Sequence, residues 1–432
     1  MKKKEEIRFD EAMKQTEKQP AIFYGWYILA IGMLGAFLGA GTSQLFMSTM
    51  LKPLTQEFGW SRTAATGPIT TGTIMAGLLS LPFGKLVDRY GPRVLTTVGA
   101  LVTAAGYVAF TKFVDLWQFY VVFIIARVVS TNTITNIVPR TAAVNWFRRF
   151  RGRALGMIAM STPLGSSVLA MSAQFIMESH GWRTVFGVFA LAMVLFQAIP
   201  AALILRRRPE DIGLLPDGGQ NVYGHDVSPG QAHAEQETNW TLSEAMQTPA
   251  LWLLAASIVV ALTINAGVGF HLVAYYTDVG IVATVAVGAM SVYALTGALA
   301  NLIWGFLSER FPERLLASVV MMLTALTILY LQSVRTTASA FLFGILFGLT
   351  SRGEGTLVNI ILAQYYGRSS YGTISGVIFP FNMLGLGLGP LLASVFFDLT
   401  GSYYAVFNVF IAASLVAAAL LWLAKKPNKG YV

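Results

Sequence analysis

The sequence contains no cysteine, and only 12% of its 432 residues are charged. The lack of cysteine excludes disulfide bonds, thiolate metal sites and cysteine nucleophiles. Because an ordinary soluble domain carries about 25% charged residues, this charge content together with 55% hydrophobic residues excludes that class of protein. Walker, HExxH and nucleophile-elbow signatures are absent as well. We therefore expect no enzyme, no metal site and no cofactor.

The chain consists mainly of apolar runs of roughly 20 residues, the length that a helix needs to cross about 30 Å of hydrocarbon. A membrane β-barrel would instead show alternating strands of roughly ten residues. The sequence therefore predicts an all-α membrane protein with twelve transmembrane helices. The predicted spans lie at 24–50, 64–83, 94–112, 116–138, 153–177, 183–205, 250–276, 283–307, 315–334, 338–363, 372–397 and 402–424.

A polar segment rich in glycine and proline separates the sixth span from the seventh. It ends with Thr241 and Glu244 at capping-box spacing, which predicts a short helix before the seventh span. The predicted organisation is an N-terminal tail at 1–22, a six-helix bundle at 23–206, a linker at 207–248, a second six-helix bundle at 249–424 and a C-terminal tail at 425–432.

The 30 lysine and arginine residues are distributed unevenly along a chain of net charge +9. If the N-terminus is cytoplasmic, 23 of them lie on the cytoplasmic side and five on the other side, namely Lys52, Arg62, Lys112, Arg183 and Arg335. By the positive-inside rule, we expect a multi-pass protein of the cell (inner) membrane with both termini and the linker in the cytoplasm. Because the basic residues form short clusters between apolar runs, the expected partner is the lipid bilayer and not nucleic acid. We expect a monomer.

The two halves of the chain repeat each other. The stretch GKLVDRYGPR at 84–93 recurs as GFLSERFPER at 305–314, and Gly156 corresponds to Gly376 at nearly the same offset. Two copies of one six-helix unit in the same orientation imply a pseudo-twofold axis along the membrane normal and a binding site between the halves. This symmetry is typical of a protein that opens alternately to each side of the membrane.

The loop at 84–93 resembles the signature G-x-L-x-D-R-x-G-x-R of the major facilitator superfamily, and it falls between the second and third of twelve spans, as in that family. The stretches FYGWYILA at 23–30, RRRPEDIGLLPDG at 206–218 and GPLLASVFFDLTGSYYAVF at 389–407 resemble the bacterial monocarboxylate and oxalate:formate branch. The resemblance covers about 23–424 and implies a secondary carrier of carboxylates. Carboxylate carriers of that branch generally have an arginine in span eight, and the oxalate exchangers add a lysine in span eleven. Neither residue is present here.

Three ionised residues lie clearly inside the predicted spans, away from their ends: Arg127 in span four, and Arg352 and Glu354 in span ten. Each costs roughly 2.5 to 3.5 kcal/mol at a helix centre on insertion scales, so such groups almost always face a protein interior or a watery cavity. When the repeated loops are aligned, Arg352 falls opposite position 131 of the first half, about one helical turn from Arg127. We expect the two arginines to approach a central cavity from opposite halves.

Arginine keeps its proton and presents a planar fork of donors that matches a carboxylate. The two arginines therefore predict a fixed receptor for a small organic anion, with packing or gating as the alternative role of Arg127. Neighbouring amides are expected to bind the substrate or, alternatively, to join helices. These amides are Gln44, Asn132, Asn136, Asn265 and Asn382.

Two titratable residues are candidates for carrying a coupled proton. Glu354 would hold a proton more readily in a poor solvent, although it is also placed to neutralise Arg127 or Arg352. Because residues two apart on a helix do not face each other, Arg352 and Glu354 are expected to point to different sides. His271 in span seven is the other candidate, because histidine is the side chain whose unperturbed charge change lies near neutral pH, but a lone histidine among apolar residues is more often a packing residue.

The charged residues of the repeated loop lie at predicted helix ends, where ion pairs and charge–dipole contacts can form in one state and break in the other. They are predicted to act as gate latches and not as ligands of a substrate. These residues are Asp88, Arg89, Arg93, Glu309, Arg310 and Arg314.

The leading prediction is a secondary carrier that moves a small organic anion, in particular a monocarboxylate, by alternating access, as proton symport or as anion exchange. One alternative is a carrier of a neutral or cationic compound, as in drug efflux, in which the arginines are structural. The other is a membrane sensor that binds a ligand without transporting it. The linker and the tails contain no obvious signalling domain, which speaks against the sensor.

Overall fold

The computed structural model describes residues 23–60, 62–219 and 240–428, and the regular elements in these ranges are all helical. The predicted N-terminal tail, most of the linker and the end of the C-terminal tail lie outside the described residues. The helices of the first half are α1 (Gly25–Gly39), α2 (Gln44–Phe58), α3 (Arg62–Leu78), α4 (Ser80–Phe110), α5 (Leu116–Ser130), α6 (Ile137–Trp146), α7 (Arg151–Ala192) and α8 (Ile199–Ile204).

Eight further α-helices are described at the end of the linker and in the second half. These helices are α9 (Leu242–Met246), α10 (Pro249–Asp278), α11 (Ala283–Leu307), α12 (Glu313–Leu331), α13 (Thr337–Ser351), α14 (Gly353–Tyr366), α15 (Tyr371–Thr400) and α16 (Tyr404–Leu423). The predicted short helix before span seven is confirmed as α9. Its capping box is formed by Thr241 and Glu244, whose side chains each accept the other's backbone N–H, at 3.3 and 2.7 Å.

Within the described residues, nine helical stretches are long and apolar enough to cross a membrane. Gly91 and Gly181 have φ of 80° and 77° and interrupt α4 and α7, because this left-handed backbone cannot continue a helix. They separate span two from span three and span five from span six. Span two is further interrupted at Leu79, and span ten is interrupted at Arg352. With these divisions, the expected twelve helices in two six-helix bundles are confirmed.

The halves pack together at the end of the bundle that contains the segments 84–93, 147–153, 308–314 and 366–370, called here the arginine-rich end. Glycines allow the backbones to approach closely. A Cβ atom on Gly84 would collide with the carbonyl oxygen of Gly372, and one on Gly152 would collide with that of Gly305. Gly84 and Gly305 both begin the repeated loop, and Gly372 and Gly152 both follow the first residue of a helix, α15 or α7. The two contacts are therefore related by the sequence repeat.

Span four departs from regular helix geometry at its centre. A π-helical stretch, Thr131–Thr135, joins α5 to α6, and Asn136 follows with φ −124° and ψ −78°. Insertions of this kind occur often at functional sites. The helix then continues to Trp146, beyond the predicted end of span four at 138. This extension places more polar side chains inside the bundle than the sequence analysis expected.

Candidate functional site

Arg352 lies at the point where span ten changes from α13 to α14, and its side chain is exposed. Its stem packs against span eight, where a Cβ on Gly297 would come within 2.9 Å of the arginine Cγ. The guanidinium carbon lies 5.6 Å from the centre of the Tyr293 ring. Among the described residues, the guanidinium has no hydrogen-bond acceptor and no ion-pair partner. Arg352 therefore presents unpaired donors on the surface of span eight.

The break beside Arg352 is stabilised by Trp304. Where a helix is interrupted, carbonyl groups of its last turn lose their backbone donors. Here the indole Nε1 of Trp304 donates to the carbonyl of Leu349 at 2.7 Å. The indole also occupies the space in which a Cβ on Gly353 would lie. Gly353 and Trp304 thus hold the interruption in place and fix the position from which the Arg352 side chain projects.

Arg127 occupies a corresponding place in the first half. Its Nη1 donates to the carbonyl of Thr42 in span one at 2.9 Å, and its buried Nε has no partner among the described residues. Its stem packs against span two, where a Cβ on Gly72 would lie 3.1 Å from the arginine Cγ. Arg127 follows Gly72 in the chain by the same interval at which Arg352 follows Gly297. The fourth span of each half therefore carries an arginine that packs on a glycine of the second span.

Glu354 points away from both arginines. It is 1% exposed, and its Oε1 accepts a long hydrogen bond of 3.4 Å from Ser257 in span seven. Its Oε2 has no partner among the described residues. The expectation that Arg352 and Glu354 point to different sides is confirmed. Neutralisation of an arginine by Glu354 does not occur in this conformation, since the carboxylate forms no ion pair within the described part of the chain.

Two of the candidate amides join helices. Asn132 is fully buried, and its Nδ2 donates to the carbonyls of Ala76 in span two and Val128 in its own helix, at 3.1 and 2.9 Å. Asn265 in span seven donates to the hydroxyls of Tyr293 and Ser351, each at 3.0 Å. Asn265 thereby positions the ring over which the Arg352 guanidinium lies.

The remaining candidate amides are less constrained. Asn136 follows the π-helical stretch and is partly buried. Asn382 in span eleven has a buried Oδ1 without a partner among the described residues. The side chain of Gln44 lies outside the described side chains. None of these three is brought into contact with Arg127 or Arg352 by a described hydrogen bond.

His271 lies in span seven on the side away from the arginine-rich end. Its Nδ1 is 3.1 Å from the hydroxyl of Tyr403, and its Nε2 is 3.1 Å from the carbonyl oxygen of Pro390. A neutral imidazole with its proton on Nε2 fits both contacts, since it donates to the carbonyl and accepts from the hydroxyl. His271 therefore ties span seven to spans eleven and twelve.

Two of the predicted gate residues, Asp88 and Glu309, connect the halves. Asp88 accepts the backbone N–H groups of Gly372 and Thr373 at 3.2 and 2.8 Å. Glu309 accepts the backbone N–H of Arg153 at 3.1 Å and its Nε at 2.6 Å. Both carboxylates thus lie at the N-terminus of a helix from the other half, α15 or α7, where the helix dipole favours negative charge. Burial raises the pKa of Glu309, and the bonds from Arg153 oppose that shift.

The other predicted gate residues do not connect the halves in this conformation. The guanidinium of Arg89 lies over the ring of its neighbour Tyr90. Arg93 donates from Nε to the carbonyl of Ala202 in span six at 2.6 Å, within the first half. Arg310 is exposed and Arg314 is partly buried, and neither has a described hydrogen bond across the interface.

Arg140 was not among the predicted site residues, because the predicted span four ends at 138. Arg140 lies in α6, partly buried, and its Nη1 donates across the interface to Oδ1 of Asn359 at 3.4 Å. The same oxygen accepts the hydroxyl of Tyr371 at 3.3 Å. The signal that could have found Arg140 is its position directly after Pro139, still within a run of helix-compatible residues that ends only at Trp146.

The family model of the Major Facilitator Superfamily matches residues 32–291 and 277–431, which is most of the chain. The chain belongs to this superfamily. Superfamily membership agrees with the twelve helices, the repeat and the charged loop between spans two and three. Monocarboxylate transporter 4 of Rattus norvegicus is 24% identical over 430 residues, covering 94% of this chain and 84% of the relative. The chain is thus a superfamily transporter homologous, at low identity, to monocarboxylate transporters.

Solved structures show the same superfamily fold. The human organic anion transporter MFSD10 (TETRAN) has a TM-score of 0.69 at 16% identity, covering 93% of this chain and 100% of that chain. A variant of the E. coli fucose:proton symporter FucP has the same TM-score of 0.69 at 11% identity, with the same coverage of 93% and 100%. At these identities the likeness concerns the fold alone.

Proposed function

We propose that the protein is a secondary carrier that moves a small organic anion, in particular a monocarboxylate, by alternating access. The observation that carries this proposal is Arg352, an exposed guanidinium without an acceptor among the described residues. A permanent cation in the middle of a span is costly unless it faces water or an anion. Its planar fork of N–H donors matches a carboxylate in two parallel hydrogen bonds.

Arg127 provides the second cation of the proposed site. It lies at the corresponding position of the first half, with one nitrogen held by Thr42 and its Nε unpaired among the described residues. The stem of Arg352 packs along α11, the helix of span eight, which contains no charged residue. The Arg352 guanidinium therefore supplies positive charge at the surface of this helix. This arrangement supports carboxylate binding although the span-eight arginine of the related bacterial monocarboxylate and oxalate:formate branch is missing. We assign the chain to that branch.

Glu354 is the group we propose for proton coupling. Its carboxylate is buried, receives one long hydrogen bond and lies in the same span as Arg352, with only Gly353 between them in the chain. A conformational change that moves α14 relative to span seven would alter the surroundings of this carboxylate and the position of Arg352 together. His271 is the less favoured proton carrier, because both of its ring nitrogens are held by neighbouring spans.

We further propose that the arginine-rich end faces the cytoplasm of a bacterial cell, with the protein as a monomer in the inner membrane. The positive-inside rule supports this orientation, since 23 of the 30 lysines and arginines belong to that end and to the tails. The close packing of Gly84 on Gly372 and of Gly152 on Gly305 supports a closed state at this end. The described conformation would then admit substrate only from outside.

Equilibrium binding of radiolabelled lactate and pyruvate to the purified protein tests the proposal. We expect saturable binding to the wild type and a loss of about tenfold or more in affinity in Arg127→Ala and in Arg352→Ala, since a hydrogen bond to a charged group contributes about 1.5–3 kcal/mol. Arg183→Ala is the matched control, because Arg183 pairs with Glu57 near the other end of the bundle. Equal binding by all four proteins would refute the proposal.

The same purified protein distinguishes the proposed anion carrier from a carrier of cationic compounds and from a membrane sensor. A protein that binds tetraphenylphosphonium but not lactate, and from which lactate does not displace tetraphenylphosphonium, would favour a carrier of cationic compounds. Uptake of labelled lactate into proteoliposomes excludes a sensor that binds without transport. No uptake by a protein that binds lactate would favour the sensor.

A further inference from the structure

Arg140 is a partly buried arginine in a helix, and its polar contacts are poor. It lies in α6 on the first half and reaches across the closed interface to the second half, where Oδ1 of Asn359 is its described side-chain acceptor. That bond is 3.4 Å long, outside the usual range of about 2.7–3.2 Å for an N–H donor and an oxygen acceptor. No ion pair of Arg140 exists among the described residues. Within the described part of the chain, this guanidinium with its five N–H donors therefore has one weak neutral hydrogen-bond partner.

The acceptor on Asn359 is also shared. Its Oδ1 accepts the hydroxyl of Tyr371 at 3.3 Å, and its Nδ2 donates to the carbonyl of Gly355 at 2.6 Å. Asn359 is therefore fixed to the second half and does not move with Arg140. When the halves separate at the arginine-rich end, Arg140 must lose its described side-chain acceptor. A charged side chain that is left without partners in a protein interior is costly unless water or an anion replaces the lost contact.

Arg140 lies between Arg352 and the arginine-rich end of the bundle. Asn359 follows Arg352 by two turns of α14, which places the Arg140 contact about 10 Å closer to that end. Asn359 faces the first half, since Arg140 contacts it there. An anion that leaves Arg352 toward the arginine-rich end would therefore meet Arg140 next.

We propose that Arg140 is a further substrate-binding residue beside Arg352 and Arg127, which binds the carboxylate of the transported anion when the arginine-rich end is open. In the described conformation, the Arg140 guanidinium donates to Oδ1 of Asn359 and not to a carboxylate. The anion and Asn359 compete for the same donors, so arrival of the anion replaces a weak neutral contact with a charge-assisted, bidentate one. This inference rests on the proposed function as an organic-anion carrier.

Counterflow of labelled lactate in right-side-out and inverted membrane vesicles tests the inference, because each preparation presents one face of the protein. Arg140→Gln is the decisive variant: glutamine still donates to Asn359 but carries no charge. We expect its KM for lactate to rise about tenfold or more at the arginine-rich face and to change less than about twofold at the other face. Arg140→Lys keeps the charge without the planar fork and should recover most of the loss.

Lys85→Ala serves as the matched control, since Lys85 is an exposed cation near the same end. Its KM should equal that of the wild type at both faces. Unchanged KM values in Arg140→Gln at both faces, or an equal rise at both, would overturn the role of Arg140 while wild-type counterflow leaves the proposed function intact. A wild type without lactate or pyruvate counterflow would instead overturn the proposed function and this inference with it. Thermal melting of each purified variant identifies any loss caused by misfolding.

Discussion

The Asp88 carboxylate of the first half accepts both the backbone N–H and the hydroxyl of Thr373 in the second half, at 2.8 and 2.7 Å. The repeat reproduces this relationship between Glu309 and Arg153, with the halves exchanged. Each half thus supplies one acidic residue to the N-terminus of a helix in the other. We expect these contacts to break when the arginine-rich end opens, which makes them direct targets for a test of gating.

Replacing Asp88 with asparagine should favour opening of the arginine-rich end. The change removes the charge that the helix terminus stabilises, and charge-assisted hydrogen bonds contribute about 1.5–3 kcal/mol each. Because the chain has no cysteine, Ser80→Cys provides a single label at a fully buried position between spans two and eleven. We expect maleimide to react with this cysteine about tenfold faster in the Asp88→Asn background.

The matched control for this experiment is Lys85→Gln, which removes an exposed charge from the same loop. It should leave the rate of labelling at position 80 unchanged. Equal rates in the Asp88→Asn and parent proteins would mean that the carboxylate does not hold the gate closed.

The glycines beneath the two arginines should control substrate affinity without touching the substrate. A Cβ on Gly297 would lie 2.9 Å from Cγ of Arg352, so Gly297→Ala must displace the arginine stem. A Cβ on Gly72 would press on Arg127 in the same way, at 3.1 Å. Binding of radiolabelled lactate should weaken by about threefold to tenfold in either variant, since a shift of a few tenths of an ångström weakens bidentate hydrogen bonds without removing them.

Gly187→Ala is the comparison for both glycine variants, because a Cβ there would meet no atom within 4 Å. It should bind lactate as the wild type does. Wild-type affinity in Gly297→Ala would show that the position of the Arg352 stem does not matter for binding.

Glu354→Gln should separate proton coupling from anion exchange. Glutamine keeps the size of the side chain and can still accept the bond from Ser257, but it cannot take up and release a proton. We expect lactate uptake driven by an imposed pH gradient to fall about tenfold or more in proteoliposomes, whereas counterflow exchange should stay within about threefold of the wild type. Glu178→Gln, a change at an exposed glutamate, should affect neither activity.

The two assays together decide the role of Glu354. An equal loss of gradient-driven uptake and of counterflow would assign the residue a structural role between spans ten and seven. If gradient-driven uptake and counterflow both stay at the wild-type level in Glu354→Gln, transport does not depend on protonation at this position.

The sequence allowed the twelve spans, the repeat and the α9 capping box to be predicted, because each depends on local composition or spacing. Apolar length decides whether a segment crosses a membrane, and the capping box depends on Thr241 and Glu244 alone. The divisions at Gly91 and Gly181 also follow the predicted loops, although the backbone continues as helix on both sides of each glycine.

The site was less predictable, since its contacts come from distant parts of the chain. Pattern analysis identified Arg352 and Glu354 but could not show that Gly297 of span eight and Ser257 of span seven lie beside them. Arg140 was missed because a cluster of basic residues follows it, and such clusters usually mark a loop. The helix-compatible run that continues to Trp146 indicated a longer span, but the contact of Arg140 with Asn359 joins residues far apart in the chain and could not be predicted from it.

Asp217 in the first part of the linker offers a test of how the linker stabilises the fold. Its Oδ2 accepts the backbone N–H groups of Arg148 and Arg149 at 2.8 and 2.6 Å, and its Oδ1 accepts that of Phe150 at 3.4 Å. The linker carboxylate thereby holds the turn that precedes α7. Burial raises the pKa of Asp217, while the three backbone N–H groups partly oppose the shift.

The raised pKa predicts a pH-dependent contribution to stability with a definite sign. The folded protein holds the proton of Asp217 more tightly than the unfolded chain, whose aspartate pKa is about 3.9. The stabilising contribution of this protonation is complete below that value and is lost as the pH rises through the folded-state pKa. The asparagine of Asp217→Asn cannot titrate. We therefore expect the wild type to lose melting temperature relative to this variant as the pH rises from about 3.9 through the folded-state pKa. Above that pKa the difference between the two melting temperatures should stay constant.

At neutral pH the Asp217→Asn variant should still melt below the wild type, because an amide offers one acceptor where the carboxylate offers two, and a buried N–H left without a partner costs about 1–3 kcal/mol. Asp211→Asn is the control, since Asp211 is exposed and caps only the short turn that begins at Arg208. A melting difference for Asp217→Asn that does not vary with pH would show that this carboxylate has the same pKa in the folded and unfolded chains. Such a result would mean that the three N–H groups fully offset the effect of burial.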